Sequence, residues 1–186
     1  MPKRTLFFML TVFLAIFGMP GMAQTGKSNT GLKVGKVDVD FQYGNLTPSL
    51  WHLTGRVKMT TEDYDLAGED VKVYFAPGKT GASGLKRATV DGSPAGGKQM
   101  VAHIRQPLQS QAYEIFADHA VYLPDLSRPG GGRMDFTGHV KVIADSGFLA
   151  EPSVSTTEQA TILMGQGNDY PQIITGPAHI TLTPAQ

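Results

Sequence analysis

The chain has 186 residues, with 16 basic and 16 acidic side chains, 22 glycines, 12 prolines and no cysteine. Balanced charge gives no electrostatic case for nucleic acid or an anionic membrane surface as partner. Without cysteine there are no disulfides and no thiolate metal sites, so stability must come from packing and backbone hydrogen bonds.

The N-terminus reads as a cleaved export signal. Lys3 and Arg4 supply a positive start, and Leu6 to Phe17 is apolar except for Thr11. Gly18, Pro20 and Gly21 break that run, and Gly21-Met22-Ala23 places small residues at the positions a signal peptidase reads, with the cut before Gln24. The apolar run is too short for a membrane span, which needs about 20 residues. The lack of cysteine after it excludes a lipid-anchored lipoprotein. Cleavage would leave residues 24–186, with 14 basic against 16 acidic residues, a net charge of −2 and enough length for one domain with a real core. Residues 24–36, rich in Gly, Ser, Thr and Lys, are expected to be a flexible leader ahead of a domain over 37–186.

From Val37 onward the pattern predicts β-structure. Apolar residues alternate with polar ones in a series of short stretches: Val37, Val39 and Phe41; Leu53, Val57 and Met59; Val71, Val73 and Phe75; Met100, Ala102 and Ile104. Ile115, Ala117, Val121 and Leu123 follow as one phase, then Met134, Phe136, Val140 and Val142, then Ala160, Ile162 and Met164, and finally Ile180 and Leu182. Turn-like segments at Ala76-Pro77-Gly78, Asp91-Gly92-Ser93-Pro94 and Arg128-Pro129-Gly130-Gly131-Gly132 separate them. No stretch after the export signal has a helical period. The expected fold is an all-β sandwich, barrel or jelly roll.

Two segments echo each other. Leu53-Thr54-Gly55-Arg56-Val57-Lys58-Met59 matches Phe136-Thr137-Gly138-His139-Val140-Lys141-Val142, and a Gly inside a strand usually marks a bulge or close backbone approach. A second echo pairs the segment from Tyr64 to Val71 with that from Tyr113 to Ala120. With Tyr113-Glu114-Ile115-Phe116-Ala117-Asp118-His119-Ala120-Val121-Tyr122, the unit resembles the OstA-like repeat of the lipopolysaccharide-transport proteins LptA, LptC and the periplasmic part of LptD. The resemblance covers roughly Trp51 to Ile143. After the glycine the family commonly has Asn, where this chain has Arg56 and His139.

The resemblance implies an open OstA-like β-jelly roll in the periplasm, holding acyl chains between two sheets without chemistry. It implies lipopolysaccharide or a related lipid as ligand, and other OstA-like proteins or further copies as partners through edge-strand stacking in a bridge to the outer membrane. Groove-lining candidates, taken from the alternation, are Leu53, Val57, Met59, Val71, Val73, Ile115, Val121, Leu123, Phe136, Val140 and Val142. The alternation alone does not separate a lined groove from a filled sandwich core.

Catalytic signals are missing. Gly78-Lys79-Thr80 lacks the first glycine of a phosphate-binding loop, since Val73 stands there, and Pro77 removes a needed N–H. Asp63, Asp65 and Gly68 start like a calcium loop, but Ala67 and Tyr74 occupy ligand positions. The five histidines (His52, His103, His119, His139 and His179) are too scattered for a local metal motif. No nucleophile elbow occurs. The expectation is a non-enzymatic protein with no cofactor, no metal and no nucleic-acid partner. A second expectation, a carbohydrate-binding or adhesive sandwich, would need Trp51, Tyr74 and Tyr122 exposed together on one sheet face.

Overall fold

The structure is a computed structural model that describes residues 30–34, 37–60, 64–78, 84–93, 97–106, 111–125, 127, 132–145, 151–164 and 172–181. The expected export signal lies outside the described residues, as do Glu62, Asp63, Lys79, Thr80 and Leu182. Among the described residues thirteen strands run in chain order: β1 (Thr30–Val34), β2 (Val37–Phe41), β3 (Tyr43–Leu46), β4 (Leu50–Thr60), β5 (Tyr64–Phe75), β6 (Leu85–Asp91) and β7 (Met100–Gln106), then β8 (Gln111–Ala117), β9 (His119–Pro124), β10 (Gly132–Asp145), β11 (Ser153–Met164), β12 (Gln172–Thr175) and β13 (His179–Thr181). All pair antiparallel. The chain is an all-β jelly roll, with no α-helix among the described residues.

Four long strands carry the architecture. Each pairs along one side with two short strands in succession: β4 with β3 and β2, β5 with β6 and β7, β10 with β9 and β8, and β11 with β12 and β13. The continuous sheet is thereby folded into two halves. Sheet A holds, in order, β3, the start of β4, the end of β5, β6, β9, the start of β10, the end of β11 and β12. Sheet B holds β1, β2, the end of β4, the start of β5, β7, β8, the end of β10, the start of β11 and β13.

The fold line passes through the repeated motif. In β4 the register slips between Thr54 and Val57, and in β10 between Thr137 and Val140. The extra residues are left-handed in both strands: Gly55 and Arg56 at φ 77° and 52°, Gly138 and His139 at 76° and 49°. Such bulges bend a strand and raise its twist. At each, a bend residue closes the corner. The Gln42 N–H donates to the Thr54 and Gly55 carbonyls (3.2 and 3.1 Å), and the Asp118 N–H to those of Thr137 and Gly138 (3.2 and 3.0 Å). A Cβ on Gly55 would lie 2.6 Å from Gln42 Oε1, and one on Gly138 2.5 Å from Asp118 Oδ2, so glycine is required twice over. Asn tolerates left-handed φ better than most residues, which accounts for its use after the glycine in OstA-like repeats. Arg56 and His139 hold that conformation here.

The first echo is therefore a true structural repeat, with β4 equivalent to β10. The second is not. The Tyr64 segment lies in β5, whose counterpart is β11, whereas the Tyr113 segment spans β8 and β9, the counterparts of β2 and β3. β1 lies inside the stretch expected as a leader. Its backbone pairs with β2 from Thr30↔Phe41 to Val34↔Val37, so ordered pairing begins before Val37.

Both sheets turn one face inward onto a single apolar core. Beside the fold line, Leu53, Val71, Val90, Ala120, Phe136 and Ala160 form one cross-strand row of sheet A. Val57, Met100, Ala117 and Val140 face them from sheet B, and these ten residues are 0–4% exposed. Burying each larger side chain is worth about 1.5–3 kcal/mol.

Candidate functional site

The candidate site is the space between the sheets, and its shape follows from the burial gradient. Next to the fold line the inward side chains are sealed. Farther out, toward the opposite side, Val73, Phe75, Met134 and Ile162 stay buried, but others become half-buried: Trp51, Leu85, Tyr122, Met164 and Ile173 on sheet A, and Tyr64, Ile104 and Tyr113 on sheet B. The two sheets therefore form a wedge closed at the bulges, with a more accessible apolar side away from them. Trp51 and Phe75 pack there with ring centroids 5.3 Å apart. A shallow depression lined by Leu123, Pro124, Asp125, Gly132, Arg133, Leu163 and Met164 lies at the same end of the sheet A strands, largely on their outer face. Burial pushes the Tyr113 hydroxyl above its ordinary pKa, and burial with the nearby Asp125 charge does the same for Tyr122. Both phenols stay neutral and suit an apolar ligand surface.

Of the sequence candidates, Leu53, Val57, Val71, Val73, Ile115, Phe136, Val140 and Val142 are buried on the inner faces, and Met59 is half-buried against them. Val121 and Leu123 do not join them. They face outward, with Leu123 42% exposed, while Ala120 and Tyr122 point in. The cause is the bend at Asp118. Ile115 and Ala117 face in before it, and the bend shifts the alternation by one residue after it. The same shift turns His119 outward to meet Asp91, with Nδ1 2.5 Å from Oδ1. The sequence reading missed Trp51, Tyr64, Ile104 and Tyr113 as members of the accessible side. Trp51 lies two residues ahead of the repeated unit, in phase with Leu53, which was the available signal.

The aromatic platform of a glycan-binding sandwich is not assembled. Trp51 and Tyr122 point into the wedge, and Tyr74 on the outer face is covered by Arg87, 4.4 Å from the ring centroid. Outer-face histidines sit beside acids: His52 with Asp70 at 2.9 Å and His103 with Glu114 at 3.6 Å. Of the would-be calcium loop's acids, Asp65 pairs with Arg105, and the neighbouring Glu69 accepts from the Arg56 N–H. No three His, Asp or Glu side chains converge as metal ligands among the described residues.

His139 lies 2.7 Å from Asp118 at the β10 bulge, and Gln99 donates to both Asp118 Oδ1 and the His139 carbonyl. The hydrogen bond from His139 holds the Asp118 carboxyl below its ordinary range, and Asp118 raises the imidazole above 6.5. The histidine contribution is present below its unfolded value and fades as pH rises through the raised folded one. The aspartate contribution is present above its unfolded value and fades as pH falls through the lowered one. The pair thus stabilises the bulge most between about pH 4 and 6.5. In an NMR titration, Asp118→Asn is expected to return His139 toward 6.5; an unchanged midpoint would remove Asp118 as the cause.

No protein-family model and no characterised sequence matches the chain. Among solved structures it is similar to LptH, the LptA-homologous periplasmic component of the lipopolysaccharide transport device of Pseudomonas aeruginosa. The TM-score is 0.54 at 14% identity, over 80% of this chain and 95% of that one. The chain has an LptA-like fold. At this identity the likeness concerns architecture, and it extends over nearly all of LptH.

Proposed function

We propose that this LptA-like protein is a non-enzymatic periplasmic carrier that shelters the acyl chains of a lipopolysaccharide-type lipid between its two sheets. The observation behind this reading is the wedge: an apolar interior sealed at the bulges and half-exposed along the opposite side. Each CH₂ moved from water into such a space gains about 0.8 kcal/mol. The inward residues named from the sequence form the floor of the site, and Ile104, Tyr113, Tyr122 and Met164 its entrance. Opening the sealed part requires the sheets to part. The ends of the sheets support a second element of the reading, stacking of such domains into a bridge. β3 at one end and β12 and β13 at the other have one edge unpaired among the described residues and carry exposed Tyr43, Leu46, Ile174 and Ile180. Unpaired edges with apolar side chains are templates for strand addition.

Titration of the purified protein with lipopolysaccharide, followed by tryptophan fluorescence from Trp51, is expected to saturate. Ile104→Arg at the entrance is expected to weaken binding about 5- to 30-fold, the equivalent of 1–2 kcal/mol of lost apolar contact, without unfolding the protein. Absence of saturable binding to lipopolysaccharide and to a long-chain fatty acid alike would defeat the carrier reading.

A further inference from the structure

The internal repeat contains its own docking joint, and that joint specifies how one copy would meet the next. The first unit (β2 to β7) is joined to the second (β8 to β13) where β6 and β7 pair with β9 and β8. There Ala88 lies opposite Tyr122 in sheet A, and Ala102 opposite Ile115 in sheet B. Registers along the long strands make Ile173 the counterpart of Ala88 and Ile180 that of Ala102 at the C-terminal end. They make Leu46 the counterpart of Tyr122 and Val39 that of Ile115 at the N-terminal end. Repeating the joint between two copies would set Ile173 against Leu46, Ile180 against Val39 and His179 against Asp40. The exposures agree. Ile180 is 57% exposed where Ala102 is 2%, and Leu46 is 46% exposed.

One strand stands in the way. β1 pairs with the free side of β2, with Leu32 opposite Val39 and Gly31 opposite Asp40. Those are the places Ile180 and His179 of a second copy would take. The corresponding edge of sheet A, on β3, is uncovered among the described residues. We propose that β1 is a displaceable guard strand that occupies the sheet B half of the copy-to-copy joint and must leave β2 before a second copy can dock. This rests on the stacking reading above and adds its register and its regulation. Docking would begin on the free β3 edge and finish when β13 replaces β1. The partner is a second copy of this chain, chosen by the match between its own two ends.

The test is self-association by analytical ultracentrifugation, with circular dichroism to verify folding. Gly31→Pro with Leu32→Pro removes two adjacent N–H groups from β1, one of which must point at β2. This variant is expected to associate more tightly by the inverse of the open fraction, about tenfold if the guard is open a tenth of the time. Gly31→Cys with Asp40→Cys, in a chain with no other cysteine, locks β1 in place. Its oxidised form is expected to stay monomeric and its reduced form to associate. Ile180→Asp is expected to abolish association in every background. If the proline and oxidised variants associate just as the parent does, and Ile180→Asp still abolishes it, the guard is overturned and stacking stands. If no variant associates at any concentration, both fall.

Discussion

Phe136→Ala is expected to lower the unfolding free energy by about 3–5 kcal/mol, the range for deleting a buried aromatic ring. That is a large share of the roughly 5–15 kcal/mol that holds a domain together. Phe136 is 0% exposed and lies directly opposite Ala120 on one side and Ala160 on the other. Alanines cannot swing into the space a lost ring leaves, so the cavity stays open and the cost falls in the upper part of the range. Urea unfolding should give a lower midpoint with an unchanged slope. A loss under about 1 kcal/mol would mean that the sheets close over the gap and that the core is not fixed by this residue. The variant also bears on function. The cavity lies at the sealed end of the wedge, and a lipid that reaches it in the folded state should restore part of the lost stability, increasing with lipid concentration.

Most of the strands were legible because period-2 alternation survives in most stretches that keep to one sheet. Val71, Val73 and Phe75 lie wholly past the fold line in sheet A, and Met100, Ala102 and Ile104 wholly in sheet B, and both sets face inward. The bulges were legible too, because Gly55 and Gly138 recur in matching surroundings. What the alternation could not carry was the phase across a corner. Ile115 to Leu123 reads as one strand, yet Asp118 bends it into β8 and β9, and Ala120, Val121, Tyr122 and Leu123 are all apolar enough to face either way. The wrong phase sent Val121 and Leu123 inward and Tyr122 outward. β6 was missed because Leu85-Lys86-Arg87-Ala88-Thr89-Val90-Asp91 shows little alternation, and its place is fixed by pairing with β5 and β9. The accessible side of the wedge is a tertiary property. It depends on distance from the fold line, which no local pattern reports.

Gly138→Ala is expected to cost about 2–5 kcal/mol, and comparison with Gly78→Ala shows how that cost divides. Both glycines are left-handed, at φ 76° and 68°. An alanine pays about 1–2 kcal/mol for that conformation wherever it sits. Around Gly78 a Cβ meets nothing within 4 Å, so its substitution should cost only that much. At Gly138 the Cβ would lie 2.5 Å from Asp118 Oδ2 and 2.9 Å from Asp118 Cβ, which adds an overpacking cost of about 1–3 kcal/mol. Asp118 cannot move away cheaply. Its N–H is bound to the Thr137 and Gly138 carbonyls, and its carboxylate to His139 and Gln99. The excess of Gly138 over Gly78 therefore measures the close approach at the corner, separate from the backbone cost. Gly55→Ala faces the same backbone cost and an equal 2.9 Å approach to a Cβ, that of Gln42, but there the nearest atom is Oε1 at the end of the longer Gln42 side chain, which swings aside more easily than the Asp118 carboxylate. The expected order is Gly138, then Gly55, then Gly78, read from thermal or urea unfolding. Equal costs at all three would mean that left-handed φ alone, and not the contact between bend and bulge, makes glycine necessary where the strands cross between sheets.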